Sequence, residues 1–281
     1  MDGEPTVQLR LKKEPEIPLE AEVLTPDVCC SLSNREIQEL PAMLGKHPCR
    51  LGDFFEVEGE RSRCLEIHGD LGKVKWIGRA MTDGSIRIHG NAGMHLGSAM
   101  TGGSIVVSGN AGDWLGAEMR GGRICVRGNA GGQVGAAYRG SRRGMRGGMI
   151  HIEGDAGLEV AMRMRRGMIC IRGRVGDFAG LQMLGGTLLL CGKAGIRTGA
   201  WMSRGTIVAL EPLKLLPTFF YACTYEPVFL RLLANQLADS GLPGLGEKWN
   251  YRVQRYIGDT SGLSKGEILV CEPASPSDDT N

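Results

Sequence analysis

Four arginines, Arg139, Arg142, Arg143 and Arg146, stand within eight residues of one another in the stretch YRGSRRGMRGG, 138–148. Three more, Arg163, Arg165 and Arg166, follow in RMRR. A guanidinium stays charged and presents a planar fork of donors. Clustered arginines therefore suit bidentate contacts to carboxylates or phosphates, and desolvated interfaces. The chemistry on offer is recognition of acidic groups, on a partner protein or on a ligand. Nothing in this stretch supplies a nucleophile or a general base, and no catalytic residue is expected in the chain.

Other reactive residues form weaker patterns. GLSKG, 262–266, fits G-x-S-x-G with Ser264 as nucleophile. That elbow needs a strand before the serine and a helix after it. Strand-like EILV follows instead, and no histidine lies beyond His151. His68 and His89 occupy matching positions of two similar segments, but two imidazoles without a third ligand make a poor metal site. Stacked surface histidines are the expectation, and no metal is expected. The sequence contains no G-x-x-x-x-G-K-[ST], H-E-x-x-H or C-x-x-C motif. The nine cysteines are scattered, with only Cys29 and Cys30 close together. A chain of 281 residues needs no disulfide staples, so reduced thiols and a cytoplasmic setting are expected. MDGEPTVQLRLKKEPEIP has no apolar run of the signal-peptide kind, and no membrane span is expected. A net charge of +2 argues against a general nucleic-acid binder.

What positions these residues is a repeat. Glycine makes up 44 of the 281 residues without a G-X-Y period, so it marks recurrent turns. SIRIHGNAGMHLGSAMTGG at 85 is followed by SIVVSGNAGDWLGAEMRGG at 104 and RICVRGNAGGQVGAAYRG at 123. Further copies start at Met149, Met168 and Thr187, and a longer first copy at Leu65. The glycines that close each apolar run, Gly69, Gly90, Gly109, Gly128, Gly154, Gly173 and Gly192, are spaced 21, 19, 19, 26, 19 and 19 residues apart. A period of 19 with one short alternating run per copy predicts an all-β solenoid. At ~4.8 Å per coil, seven to eight coils make a rod ~35 Å long. The period does not match the hexapeptide rhythm of acyltransferase helices.

Alternation assigns faces. Ile86/Ile88, Ile105/Val107, Ile124/Val126, Ile150/Ile152, Ile169/Ile171 and Leu188/Leu190 share an inner face. Met81, Met100, Met119, Met164, Met183 and Met202, each three residues before a glycine, form a second core ladder. One outward column reads Glu66, Arg87, Val106, Cys125, His151, Cys170, Leu189, Val208. Its apolar members Val106, Cys125, Cys170, Leu189 and Val208 form a stripe that a monomer rarely leaves exposed. Either the C-terminal segment or another protein must cover it.

The ends depart from the repeat. Residues 1–64 are expected to cap the first coil, with TVQLRLKK as a strand and SNREIQELPAML as a helix opened by a Ser33/Glu36 capping box. The solenoid is placed at 65–211. Residues 212–271 are expected to hold a helix in EPVFLRLLANQLADSG, ending at Gly241, and a hairpin from WNYRVQRYIGD and GEILVCE. GLPGLG, 241–246, is expected to be a glycine linker. Residues 272–281 are expected to be disordered.

Between 85 and 205 the repeat carries sixteen basic residues, fifteen of them Arg, against six acidic ones. YRGSRRGMRGG is also the one place where a copy is seven residues too long. Insertions in a solenoid loop out at one face, often the binding face. The arginines are therefore expected to gather at one corner.

The repeat GNAGxxxGxxMxGGxIxVxG, with this interruption, resembles the C subunit of formylmethanofuran dehydrogenase and of the bacterial formyltransferase/hydrolase complex. The same GXGXG-type β-helix occurs as the C-terminal domain of large glutamate synthase subunits. The resemblance covers about residues 60–210, and VQRYIGDTSGLSKGEILV resembles the C-terminal closure of the family. It implies a right-handed parallel β-helix without an active site of its own. The implied partners are an amidohydrolase-like A subunit with zinc, a formyltransferase D subunit, and the B subunit of the complex. The implied complex moves a formyl group between tetrahydromethanopterin and a methanofuran-type cofactor and releases formate. A tungsten or molybdenum pterin belongs only to the archaeal-type enzyme. Methanofuran-type cofactors carry a polyglutamate arm, a fitting ligand for clustered arginines. The preference for Arg over Lys, and ends without cofactor-like features, lean toward the bacterial complex. A detached glutamate-synthase-type domain and a free-standing β-helix enzyme on an acidic polymer are the alternatives.

Overall fold

The computed structural model describes residues 5–239 and 252–272. The expected linker at 241–246, the helix end at Gly241 and the tail from 273 onward lie outside the described residues. The N-terminal segment supplies β1 (Val7–Leu11), β2 (Leu19–Glu20), α1 (Pro26–Cys29), α2 (Asn34–Gln38), β3 (Pro41–Leu44), β4 (His47–Arg50) and β5 (Phe55–Gly59). The repeats supply β6 (Cys64–His68), β7 (Val74–Lys75), β8 (Ser85–His89), β9 (Ser104–Val107), β10 (Arg123–Val126), β11 (Arg146–Ile152), β12 (Arg166–Ile171), β13 (Leu184–Leu190) and β14 (Arg204–Ala209). Beyond them come β15 (Phe220–Tyr225), α3 (Val228–Asp239), β16 (Val253–Gly258) and β17 (Lys265–Cys271).

The protein is mostly β. Thirteen strands form one sheet in the order β15-β16-β17-β14-β13-β12-β11-β10-β9-β8-β6-β1-β5, and β4-β3-β2-β7 form a second. From β6 to β14 every neighbour is parallel, and equivalent residues of successive copies face each other. Ile86, Ile105, Ile124, Ile150, Ile169, Leu188 and Ile207 thus stack in one line, each 0% exposed. Full burial of one such side chain contributes about 1.5–3 kcal/mol relative to exposure. The outward column from Glu66 to Val208 stacks in the register expected from alternation.

Copies touch along two further lines. Leu71, Ala92, Ala111, Ala130, Ala156, Val175 and Ala194 form a chain of parallel bridges. Backbone bonds from Gly97 to Ile77, Gly116 to Leu96 and Gly135 to Leu115 make the third line. Gly116 shows why glycine recurs there. Its φ is +58°, and an added Cβ would lie 2.5 Å from Cδ1 of Ile150. The methionine ladder is fully buried, and Met145, three residues before Gly148, belongs to it as well.

The two ends extend the large sheet. β1 inserts between β5 and β6, antiparallel to one and parallel to the other. β17 adds parallel to β14, β16 pairs antiparallel with β17, and β15 with β16. The capping box at Ser33 and Glu36 forms, but α2 is shorter than SNREIQELPAML suggests. Proline disfavours helix in the residue before it, so Pro41 starts β3 instead. Among the described residues no helix is long and apolar enough to cross a membrane.

Candidate functional site

The seven-residue excess leaves the repeat between Gly135 and Met145. Met145 N donates to Gly135 O at 2.8 Å, where the preceding copy bonds Met119 N to Gly116 O at 3.1 Å after only three residues. Tyr138 opens the excursion and is tied to earlier copies. Its backbone N donates to Glu118 Oε1 at 3.2 Å, and its hydroxyl lies 3.0 Å from His95 Nδ1. Its ring stacks on Trp114, with centroids 5.0 Å apart, and His95 stacks on Trp76 at 4.0 Å. Trp76, His95 and Trp114 occupy one turn position in three copies, with φ of 69°, 65° and 63°. The Arg79 guanidinium covers Trp76 at 4.8 Å. Burial pushes His95 down to about 4 and Tyr138 up to about 12, so both are neutral near pH 7.

Arg163 ties the other side of the loop to the next copies. Its Nη1 donates to Ser141 O at 2.6 Å and its Nε to Gln182 Oε1 at 2.7 Å, while Gly144 N donates to Arg163 O. Arg142 and Arg163 line a cavity of about 690 Å³ with Gln182, Trp201, Ser203 and Ser261. Arg146 and Arg166 face each other across β11 and β12. Among the described residues, no acceptor reaches the buried Nε of Arg146. Arg139, Arg143 and Arg165 are exposed and lie outside that cavity. Among the described residues, none of the seven arginines is ion-paired with a carboxylate of this chain. Arg163 differs in also holding the loop in place.

The apolar stripe is covered in its second half by the chain itself. Cys170, Leu189 and Val208 are 0% exposed and pack with Leu230 and Ala234 of α3 and with Leu269 and Cys271 of β17. These three residues are thus unavailable to another protein, because α3 lays its own apolar face over them. Val106 and Cys125 stay half-buried. α3 also exposes apolar side chains, Val228 at 68% and Leu232 at 66%, beside Arg231 and Asn235.

Ser264 Oγ donates to Asp259 O at 3.4 Å, and β17 starts at the next residue, so the strand–turn–helix of a nucleophile elbow is not built here. His68 and His89 stack as expected, centroids 4.4 Å apart, but the Glu66 carboxylate lies beside them. A polar ladder goes beyond the sequence expectations. Asn91 Oδ1 accepts from Asn110 N, Asn110 Oδ1 from Asn129 N, Asn129 Oδ1 from Asp155 N and Asp155 Oδ1 from Arg174 N, at 2.6–2.9 Å. The signal for it is in the repeat itself: Asn or Asp follows the closing glycine in copy after copy.

Comparison with known proteins agrees with this architecture. The family model for the GXGXG motif matches residues 60–220. A chain of the formyltransferase/hydrolase complex from Methylorubrum extorquens, solved in complex with methylofuran, superposes with a TM-score of 0.87. It is 34% identical, and the match covers 95% of this chain and 100% of that one. The C subunit of the tungsten-containing formylmethanofuran dehydrogenase 2 of Methanothermobacter wolfeii is 44% identical over 90 residues, 30% of this chain and 33% of the relative. The C subunit of the molybdenum-containing formylmethanofuran dehydrogenase 1 of Methanosarcina barkeri is 43% identical over 90 residues, 30% of each chain. The chain thus spans about a third of the length of these curated relatives. With more than half its length matched by the family model and one solved chain matched end to end, the protein belongs to the GXGXG family, alongside the C subunits of formylmethanofuran dehydrogenases.

Proposed function

We propose that this chain is the non-catalytic scaffold subunit of a formyltransferase/hydrolase complex. Its stacked copies form a right-handed parallel β-helix, residues 65–211, capped by 1–64 and closed by 212–271. The complex works in methanofuran- and tetrahydromethanopterin-linked one-carbon metabolism, transferring a formyl group and releasing it as formate. The chemistry falls to an amidohydrolase-like A subunit, which carries zinc, and to a formyltransferase D subunit. The B subunit makes up the rest of the assembly. The end-to-end match to a chain of the methylofuran-bound complex supports this reading.

The observation that carries the site's role is that, among the described residues, none of the seven arginines has a carboxylate partner. A guanidinium brought to a protein surface without a counter-charge gains most when an external carboxylate arrives. Arg142 and Arg163 are placed to receive the first such group in their shared cavity. Arg139, Arg143, Arg146, Arg165 and Arg166 extend the positive corner. The acidic groups come from a partner protein of the complex or from the polyglutamate arm of the cofactor. The exposed outer side of α3, rather than the stripe beneath it, supplies the apolar contact to a partner.

The test is binding of an oligoglutamate probe to the purified chain, followed by fluorescence anisotropy at rising salt. The expected result is saturable binding that weakens with salt and is lost in the Arg142→Glu/Arg143→Glu double variant. Binding that ignores both salt and charge reversal would exclude the arginine corner as the place where the probe sits.

A further inference from the structure

We propose that Glu66, His68 and His89 form a binding site for a divalent transition-metal ion of the zinc class, on the open outer face of the large sheet. Parallel pairing of β6 with β8 sets His68 directly opposite His89. Glu66 lies two residues before His68 and therefore points from the same face. The imidazole rings stack 9° from parallel with their centroids 4.4 Å apart. One ligand atom from each of the three residues lies within 4.8 Å of the other two.

Two imidazoles and one carboxylate are a donor set that suits zinc and its neighbours in the first transition row. A tetrahedral zinc with bonds of about 2.0–2.1 Å needs its donors roughly 3.3 Å apart. Closing the gap takes about 1.5 Å of side-chain rotation at most, which partly exposed side chains make freely. The backbone beneath them does not have to move. Leu65, Ile67, Ile86 and Ile88, on the opposite face of the same strands, are 0–1% exposed and lock the register. Three protein ligands leave a coordination position open for water or a ligand.

A competitor sits at the site. Arg87 Nη1 lies 3.2 Å from Glu66 Oε1, and Arg10 faces His68 from β1. A metal ion competes with Arg87 for the negative charge of the Glu66 carboxylate, so this guanidinium lowers the affinity of the site. The histidine pair lacks a third ligand only when its own column is considered; the third ligand is two residues away along the strand.

The test is titration of the purified full-length chain with zinc by calorimetry, and with cobalt(II) by visible absorption. The expected result is one ion per chain. Glu66→Gln and His89→Asn should each weaken binding at least about tenfold. His47→Ala, on an exposed histidine elsewhere, should leave it unchanged. Arg87→Ala should tighten it about two- to fivefold, the value of one exposed ion pair. No one-to-one binding, or affinity unchanged in both ligand variants while their melting temperatures match the parent, overturns the site. Unchanged or weaker binding in Arg87→Ala overturns the competition.

Discussion

The Nη1 of Arg163 donates to the carbonyl oxygen of Ser141 at 2.6 Å, joining a residue of one copy to the loop inserted in the copy before it. Tyr138 holds the other end of that loop against His95 and Trp114. The loop is therefore stapled at both ends, and its arginines stand on a fixed base. Arg163→Met removes the staple and leaves the Ser141 carbonyl to solvent. A hydrogen bond from a charged donor contributes about 1.5–3 kcal/mol. Urea unfolding should show a loss of that order, and trypsin should cut the 139–146 segment faster.

Arg142 and Arg143 are exposed and make no ion pair among the described residues, so folding is not expected to depend on their charge. Surface substitutions of this kind change stability by less than about 0.5 kcal/mol. Arg142→Glu/Arg143→Glu should therefore keep the parent melting temperature while losing the parent's binding of oligoglutamate, measured by fluorescence anisotropy. A falling melting temperature would make the two arginines structural instead.

Burial holds His95 at about 4, against 6.5 for the free side chain. Between those values the folded chain binds fewer protons than the unfolded one. Stability is full above about pH 6.5 and falls as the pH drops toward 4. Lys75, Arg79 and Asp113 are the charges that act on this ring, and Tyr138 is its hydrogen-bond partner. Melting curves from pH 7.5 to 4.5 should show the parent losing stability more steeply than His95→Gln. Equal slopes would remove His95 from the pH response.

Leu230 is 1% exposed and presses on the layer that holds Cys170. Leu230→Asp places a charge in that layer and should lift α3 from it. The Cys170 thiol, 0% exposed in the folded chain and therefore expected to resist a thiol reagent, should then react within the same assay time. If it stays protected, something other than α3 covers the stripe.

The regular parts were legible because one physical constraint repeats. A parallel stack puts like residues on like, so the isoleucine lines, the methionine ladder and the outward column follow from a period of 19. The ends were legible where local chemistry is decisive, as in the Ser33/Glu36 box and the β16–β17 hairpin. What escaped depends on contacts that no period encodes. That Tyr138 folds back onto His95, rather than out to solvent, is set by the path of seven irregular residues. Whether the C-terminal segment or another protein covers Cys170, Leu189 and Val208 stays open in the sequence, and only where α3 lands decides it for the C-terminal segment. Glu66 joins His68 and His89 because neighbouring columns of one face lie within reach of each other, which a column-by-column reading overlooks. The Asn91–Asn110–Asn129 ladder was visible as a pattern but not as a function. Its role, capping the backbone of the next copy, appears only with the copies stacked.

A scaffold builds an assembly rather than a reaction. Native mass spectrometry of the tagged chain, expressed with its co-encoded neighbours, puts that role to the test. The scaffold role predicts one stable particle containing this chain with an amidohydrolase-like protein and a formyltransferase, and formyl-transfer activity only in that particle. A chain that runs as a lone monomer, with its neighbours active without it, would contradict it.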